Sequence, residues 1–192
     1  MKRLLLATSL LALSSSFALA QSSTWTSDPA HSEVDFSVKH LSISNVPGRF
    51  GNVNATIALN EADVTKSTVN ATIDVSTVDT GMAPRDTHIK SPDFFDVATF
   101  STATFTSTSV AKSGSNLEVK GNFTLHGITK PIVLEVEAPG TPIESPMDHK
   151  SHRGFSATAT ISRTAFGIGT KFPDAIVSDA VKLTIELEAV KQ

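Results

Sequence analysis

Cysteine is absent from the 192 residues, so no disulfide, thiolate nucleophile or cysteine-ligated zinc supports this protein. Tyrosine is absent too, and Trp25 is the single tryptophan, against eleven phenylalanines. Aromatic rings with a polar handle are nearly missing. That profile suits a dry apolar interior better than a surface for stacking sugars or nucleotides. There is no basic run, and the formal charge is −3, which argues against nucleic acid or an anionic membrane surface as partner. Neither H-E-x-x-H nor G-x-S-x-G occurs, so the six histidines and the many serines lack the spacing of a zinc hydrolase or a serine nucleophile.

Long apolar runs are scarce as well. The only extended one, residues 4–13, follows Lys2 and Arg3 and leads to Ala18-Leu19-Ala20. A basic start, a short apolar core and an A-x-A end are the three parts of a secretory signal peptide. The run is shorter than the ~20 residues that span a bilayer. Residues 1–20 therefore read as a signal peptide cleaved after Ala20. Residues 21–192 read as one exported, soluble domain without stable membrane insertion.

What the chain has in quantity is alternation. Val34, Phe36 and Val38 alternate with polar neighbours, as do Val53, Ala55, Ile57 and Leu59, and then Val69, Ala71, Ile73 and Val75. Leu117, Val119, Phe123 and Leu125 continue the pattern, followed by Ile132, Leu134 and Val136, then Phe155, Ala157, Ala159 and Ile161, and finally Val181 to Ala189. A period of two gives each strand one wet and one dry face. With the Thr-rich stretch 102–110, this predicts about eight strands. Pro47-Gly48, residues 112–115, His126-Gly127 and Pro139-Gly140 fall between runs and predict antiparallel connections. Residues 82–95 lack alternation and predict a short helix with Ser91 or Asp93 near its start. The class is all-β. An uncovered antiparallel sheet of this size closes as a barrel or stacks as a sandwich, and periodicity does not separate the two.

Nine segments stand out: DPAHS at 28–32, VDFSVKH at 34–40, VPGRF at 46–50, VDTG at 78–81, RDTH at 85–88, SPDFFD at 91–96, TFTST at 104–108, GNFTLHGITKP at 121–131 and ISRTAFG at 161–167. Together and in register they resemble the YceI-like, polyisoprenoid-binding family. They run in order across nearly all of residues 21–192. The resemblance implies an extended, eight-stranded, lipocalin-like antiparallel barrel whose interior holds a polyisoprenoid, an isoprenoid quinone or a similar amphiphile. It also implies a periplasmic setting, no catalytic activity, no cofactor beyond the bound lipid, and a possible homodimer. Two departures from the family pattern are Phe100-Ser101, where a proline is usual, and Gly51-Asn52-Val53, where a further phenylalanine is usual.

On that reading the tunnel wall falls to Phe36, Val38, Phe50, Phe94, Phe95, Phe105, Phe123 and Phe155. Taken singly, each phenylalanine reads first as a core-filling residue, and the resemblance assigns the set, not each member, to the tunnel. His40, Arg85, Asp86 and His88 would meet a phosphate or hydroxyl head group. The structural alternative is that Arg85 and Asp86 anchor their own loop. Arg49 and Arg163 read as solvated residues or loop braces. Two rival functions remain: a metal hydrolase gathering His40, His88 and His126, and an adhesive β-sandwich without a small ligand.

Overall fold

Strand alternation along the chain resolves into ten strands and one short helix in a computed structural model describing residues 22–192. The segment read as a signal peptide lies outside the described residues. The strands are β1 (Ser22–His40), β2 (Ser44–Phe50), β3 (Val53–Asn60), β4 (Thr68–Asp74), β5 (Thr102–Ser113), β6 (Asn116–Leu125), β7 (Ile128–Val136), β8 (Ile143–Glu144), β9 (Ser151–Ser162) and β10 (Ala180–Lys191). Helix α1 spans Ala83–Lys90 between β4 and β5.

Eight strands close a ring in the order β1, β3, β4, β5, β6, β7, β9, β10, with β10 returning to β1. Every pairing is antiparallel. This is a barrel, and ring closure removes the sandwich alternative. The other two strands are appendages: β2 runs beside the second half of β1, and β8 extends β9 by two pairs. The shortest seam joins β7 to β9 through Glu135↔Thr158 and Val136↔Ala157, extended by a bond from Glu137 N to Ser156 O (3.0 Å).

Strand β1 is 19 residues long and, on the edge away from β10, serves two neighbours in turn. Its first part pairs with β3 from Ser22 to Thr26, and its second part pairs with β2 from Val34 to His40. Where β1 leaves β3, buried Ser27 bridges the gap: its Oγ donates to Val53 O (2.8 Å) and accepts from Ala55 N (2.7 Å). One buried hydroxyl thereby replaces the missing ladder bonds.

Two sequence expectations shift. Pro47-Gly48 lies inside β2 rather than at a turn, opposite Ser37 and Phe36. The turn is made instead by Leu41 and Ser42, both at positive φ. Gly48 is in the strand because the Phe36 ring lies close against it, so a Cβ there would meet ring Cε1 at 2.7 Å. The helix also starts earlier than expected, from Met82 as N-cap with Pro84 in its first turn, and Ser91 is its C-cap. Proline suits that first turn because its missing N–H has no helical partner there.

Gly121 repeats the Gly48 arrangement on the other side of the barrel. A Cβ there would overlap the Phe105 ring and approach Thr106 O at 2.7 Å. Gly121→Ala is therefore expected to cost about 1–3 kcal/mol, since backbone limits relaxation on one side. Gly154→Ala is the control, because a Cβ at Gly154 would meet nothing within 4 Å, and it should change stability by less than about 0.5 kcal/mol. Urea unfolding of both variants checks this, and equal midpoints would refute it.

Polar groups gather around Trp25, which is 1% exposed. Trp25 Nε1 donates to Ser23 Oγ at 2.7 Å, and the Arg153 guanidinium sits 4.8 Å above the indole. Arg153 in turn pairs with Glu61 at 3.2 Å. Phe155, Ile57, Leu59 and Ala189 join Trp25 in a second apolar cluster.

Candidate functional site

Inward side chains of the barrel do not meet in the middle. They line a cavity of about 460 Å³, within the range of small-molecule sites and larger than a packing defect. All eight residues of the expected tunnel wall, Phe36, Val38, Phe50, Phe94, Phe95, Phe105, Phe123 and Phe155, border it. Space exists partly because Ala71, Ala103 and Ala157 stand at inward positions. Sequence reading missed much of the rest of the wall, including Ile168, Phe172, Ile176 and Val177, which come from an irregular segment with no periodicity to mark them.

Polar groups gather at the end that carries α1. His40, Arg85, His88 and Thr80 border the cavity there. Asp86 does not. Its Oδ1 accepts from Thr80 N (2.8 Å) and Thr80 Oγ1 (2.5 Å), tying the loop before α1 to the helix. Arg85 grips the same residue, with Nε on Thr80 Oγ1 and Nη2 on Thr80 O, both at 2.7 Å. Two of its three guanidinium nitrogens are thus committed to the loop, while the side chain still borders the cavity. His126, by contrast, sits at the β6–β7 turn, with Nδ1 3.1 Å from Phe166 O and its ring edge-on to Phe100. The three histidines of the hydrolase alternative are therefore not all brought together.

Two segments clasp each other at this end. Phe94 stacks on Phe172 with centroids 4.9 Å apart, and His88 lies edge-on to both rings. Lys171 Nζ reaches Asp93 Oδ1 at 2.5 Å, and His88 Nε2 is 3.8 Å from the other carboxylate oxygen. The hydrogen bond from Lys171 holds the Asp93 carboxyl below its ordinary pKa, so the carboxylate and the ammonium stay paired as opposite charges at neutral pH. Asp79, just before Thr80, is lowered chiefly by the Gly81 N–H and then by Arg49.

Arg163 organises the segment between β9 and β10. It is 4% exposed, and its nitrogens donate to five backbone carbonyls: Ser178 (3.1 Å), Ile168 (3.0 Å), Gly169 (2.5 Å), Phe172 (2.6 Å) and Val177 (2.7 Å). A planar fork with five N–H groups is the one side chain able to satisfy so many acceptors from a single position. Ile168, Phe172 and Val177, which carry three of those carbonyls, also border the cavity. Arg49 is exposed and pairs with Asp79 at 3.2 Å.

These features define a closed eight-stranded barrel with an apolar chamber, its polar lining residues concentrated at one end. The YceI-like domain profile matches residues 25–189, and the chain belongs to that family. Protein YceI of Salmonella newport (strain SL254) is 41% identical over 162 residues, covering 84% of this chain and 83% of the relative. The Campylobacter jejuni YceI protein superposes with a TM-score of 0.71 at 33% identity, covering 80% of this chain and 90% of that one. BcnA of Burkholderia cenocepacia gives 0.76 at 25% identity, covering 84% and 98%. A polyisoprenoid binding domain from Saccharophagus degradans gives 0.62 at 16% identity, covering 90% and 100%, which is a likeness of fold.

Proposed function

We propose that this protein is a non-catalytic periplasmic carrier that holds one long apolar lipid, a polyisoprenoid, isoprenoid quinone or similar amphiphile, inside the barrel. The cavity is the observation that carries this reading. Its wall is almost wholly apolar, and its volume of about 460 Å³ lies in the range of small-molecule sites rather than of packing voids. A chain in need only of a core would place larger side chains where Ala71, Ala103 and Ala157 stand.

An apolar chain entering the cavity leaves water, and that transfer is the driving force. A ligand of about 30 heavy atoms at ~0.3 kcal/mol each would bind with about 9 kcal/mol, in the sub-micromolar range. Binding of this kind depends on shape and dryness, so lipids of similar length are poorly discriminated. His40, Arg85 and His88, at the polar end, are the groups suited to a phosphate or hydroxyl head. Asp86, already engaged by Thr80, acts on the loop that presents Arg85 rather than on the ligand. The ligand class named for the Saccharophagus degradans domain is chemically of the kind such a chamber accepts.

Protein purified without detergent and extracted with organic solvent is expected to release close to one long-chain lipid per chain, identified by mass spectrometry. Absence of lipid, together with failure to take up polyprenyl compounds, would overturn the proposal.

A further inference from the structure

The DPAHS stretch has no part in the cavity, yet its geometry is unusual. Between Ser27↔Ala189 and Ser32↔Leu187, β1 carries four residues, 28–31, opposite the single residue Glu188 of β10, three more than a regular ladder needs. Such an insertion pushes chain out of the ladder and re-aims side chains. Ser32 clamps the far side: its Oγ accepts from Glu188 N (3.2 Å) and lies 3.3 Å from Glu188 O. The extruded segment brings His31 Nδ1 to 2.8 Å from Asp28 Oδ2. One ligand-type atom from each of Asp28, His31 and Glu188 lies within 4.8 Å of the others. Among the described residues this is the one such group of three.

We propose that Asp28, His31 and Glu188 form a binding site for a zinc-class divalent cation on the outer wall of the barrel. Donor chemistry selects the class. An imidazole with two carboxylates and no thiolate suits zinc and its neighbours, whereas calcium and magnesium prefer oxygen alone. Bonds of about 2.0–2.2 Å to such an ion draw its ligands closer than 4.8 Å, a movement within reach of surface side chains. A supporting shell is in place. His152 Nδ1 is 2.7 Å from Glu188 Oε1, and its Nε2 is 3.1 Å from both Asp148 oxygens. That carboxylate–imidazole–carboxylate relay orients Glu188 as outer partners orient ligands in metal sites. His152 is a positioning residue here. It lies in β9. Leu187 borders the cavity and Glu188, its neighbour along the strand, faces the opposite way, so the ion and the lipid do not touch. Its effect would be to pin the extruded segment to β10.

The test is calorimetric titration of zinc chloride into untagged protein stripped with chelator. One saturable site per chain is expected, with a rise in thermal midpoint, since an ion bound only by the folded state stabilises it. His31→Ala and Glu188→Gln should each weaken binding at least about tenfold, and His152→Ala by about tenfold through lost orientation. His149→Ala, on the exposed loop nearby, should leave it unchanged. No saturable binding by the wild type would overturn the site. So would binding that survives both His31→Ala and Glu188→Gln, or binding lost in His149→Ala. Lipid content measured on the same samples keeps this result separate from the carrier proposal.

Discussion

Ala157→Phe is expected to weaken lipid binding about a hundredfold while leaving the barrel as stable as before, or more so. Ala157 faces the cavity from β9, between Ile185 and Val136 on the neighbouring strands, all three bordering the chamber. A phenyl ring there occupies the path of the ligand. Displacing about nine ligand atoms at ~0.3 kcal/mol each forfeits nearly 3 kcal/mol, or about a hundredfold in affinity. Overpacking a filled core would instead cost ~1–3 kcal/mol of stability. The two readings of the phenylalanine-rich interior therefore predict opposite signs. Lipid retained per chain and the thermal midpoint, measured on the same preparation, separate them. A destabilised variant that still carries lipid would mean that the cavity is not the binding chamber.

Arg163→Met should destabilise the protein by about 3–5 kcal/mol, the largest expected effect of any single substitution here. Methionine matches much of the volume and removes every donor, so the carbonyls of Ile168, Gly169, Phe172, Val177 and Ser178 lose their shared partner. Hydrogen bonds to a charged donor contribute roughly 1.5–3 kcal/mol each, but they do not add, because water reaches some of the acceptors once the segment loosens. For a domain of this size the thermal midpoint should fall by about 10 °C. Arg163→Lys should recover little, because a single ammonium has three donors and no planar fork. A loss below about 1 kcal/mol would show that the 167–178 segment holds its shape without this residue. Since that segment also supplies Phe172 to the aromatic clasp, faster lipid exchange should accompany the loss of stability.

Most strands were legible because their signal is local. Val53, Ala55, Ile57 and Leu59 declare a dry face within eight residues, and β3 follows that face. The first half of β1 was not legible. Its inward residues include Ser23 and Ser27, whose hydroxyls are buried against partners 26 to 38 positions away. Polar residues on a dry face erase the alternation that marks a strand. Pro47-Gly48 misled for a similar reason. Glycine there answers the close approach of Phe36 across the pair, which local rules read as a turn signal. Arg85 and Asp86 were recognised as a pair, but only their shared grip on Thr80 divides them into a cavity-bordering residue and a loop brace.

By itself, the sequence determined an all-β chain with a dry, phenylalanine-rich interior, and its ordered motifs pointed to the family. Those properties rest on side-chain period and residue type, which act over a few neighbours. The tertiary structure decided that β10 returns to β1, that the interior stays hollow rather than filled, that Arg163 gathers five carbonyls, and that Asp28 and His31 meet Glu188. Each of these depends on register between distant strands, where a shift of one residue would turn every side chain to the other face.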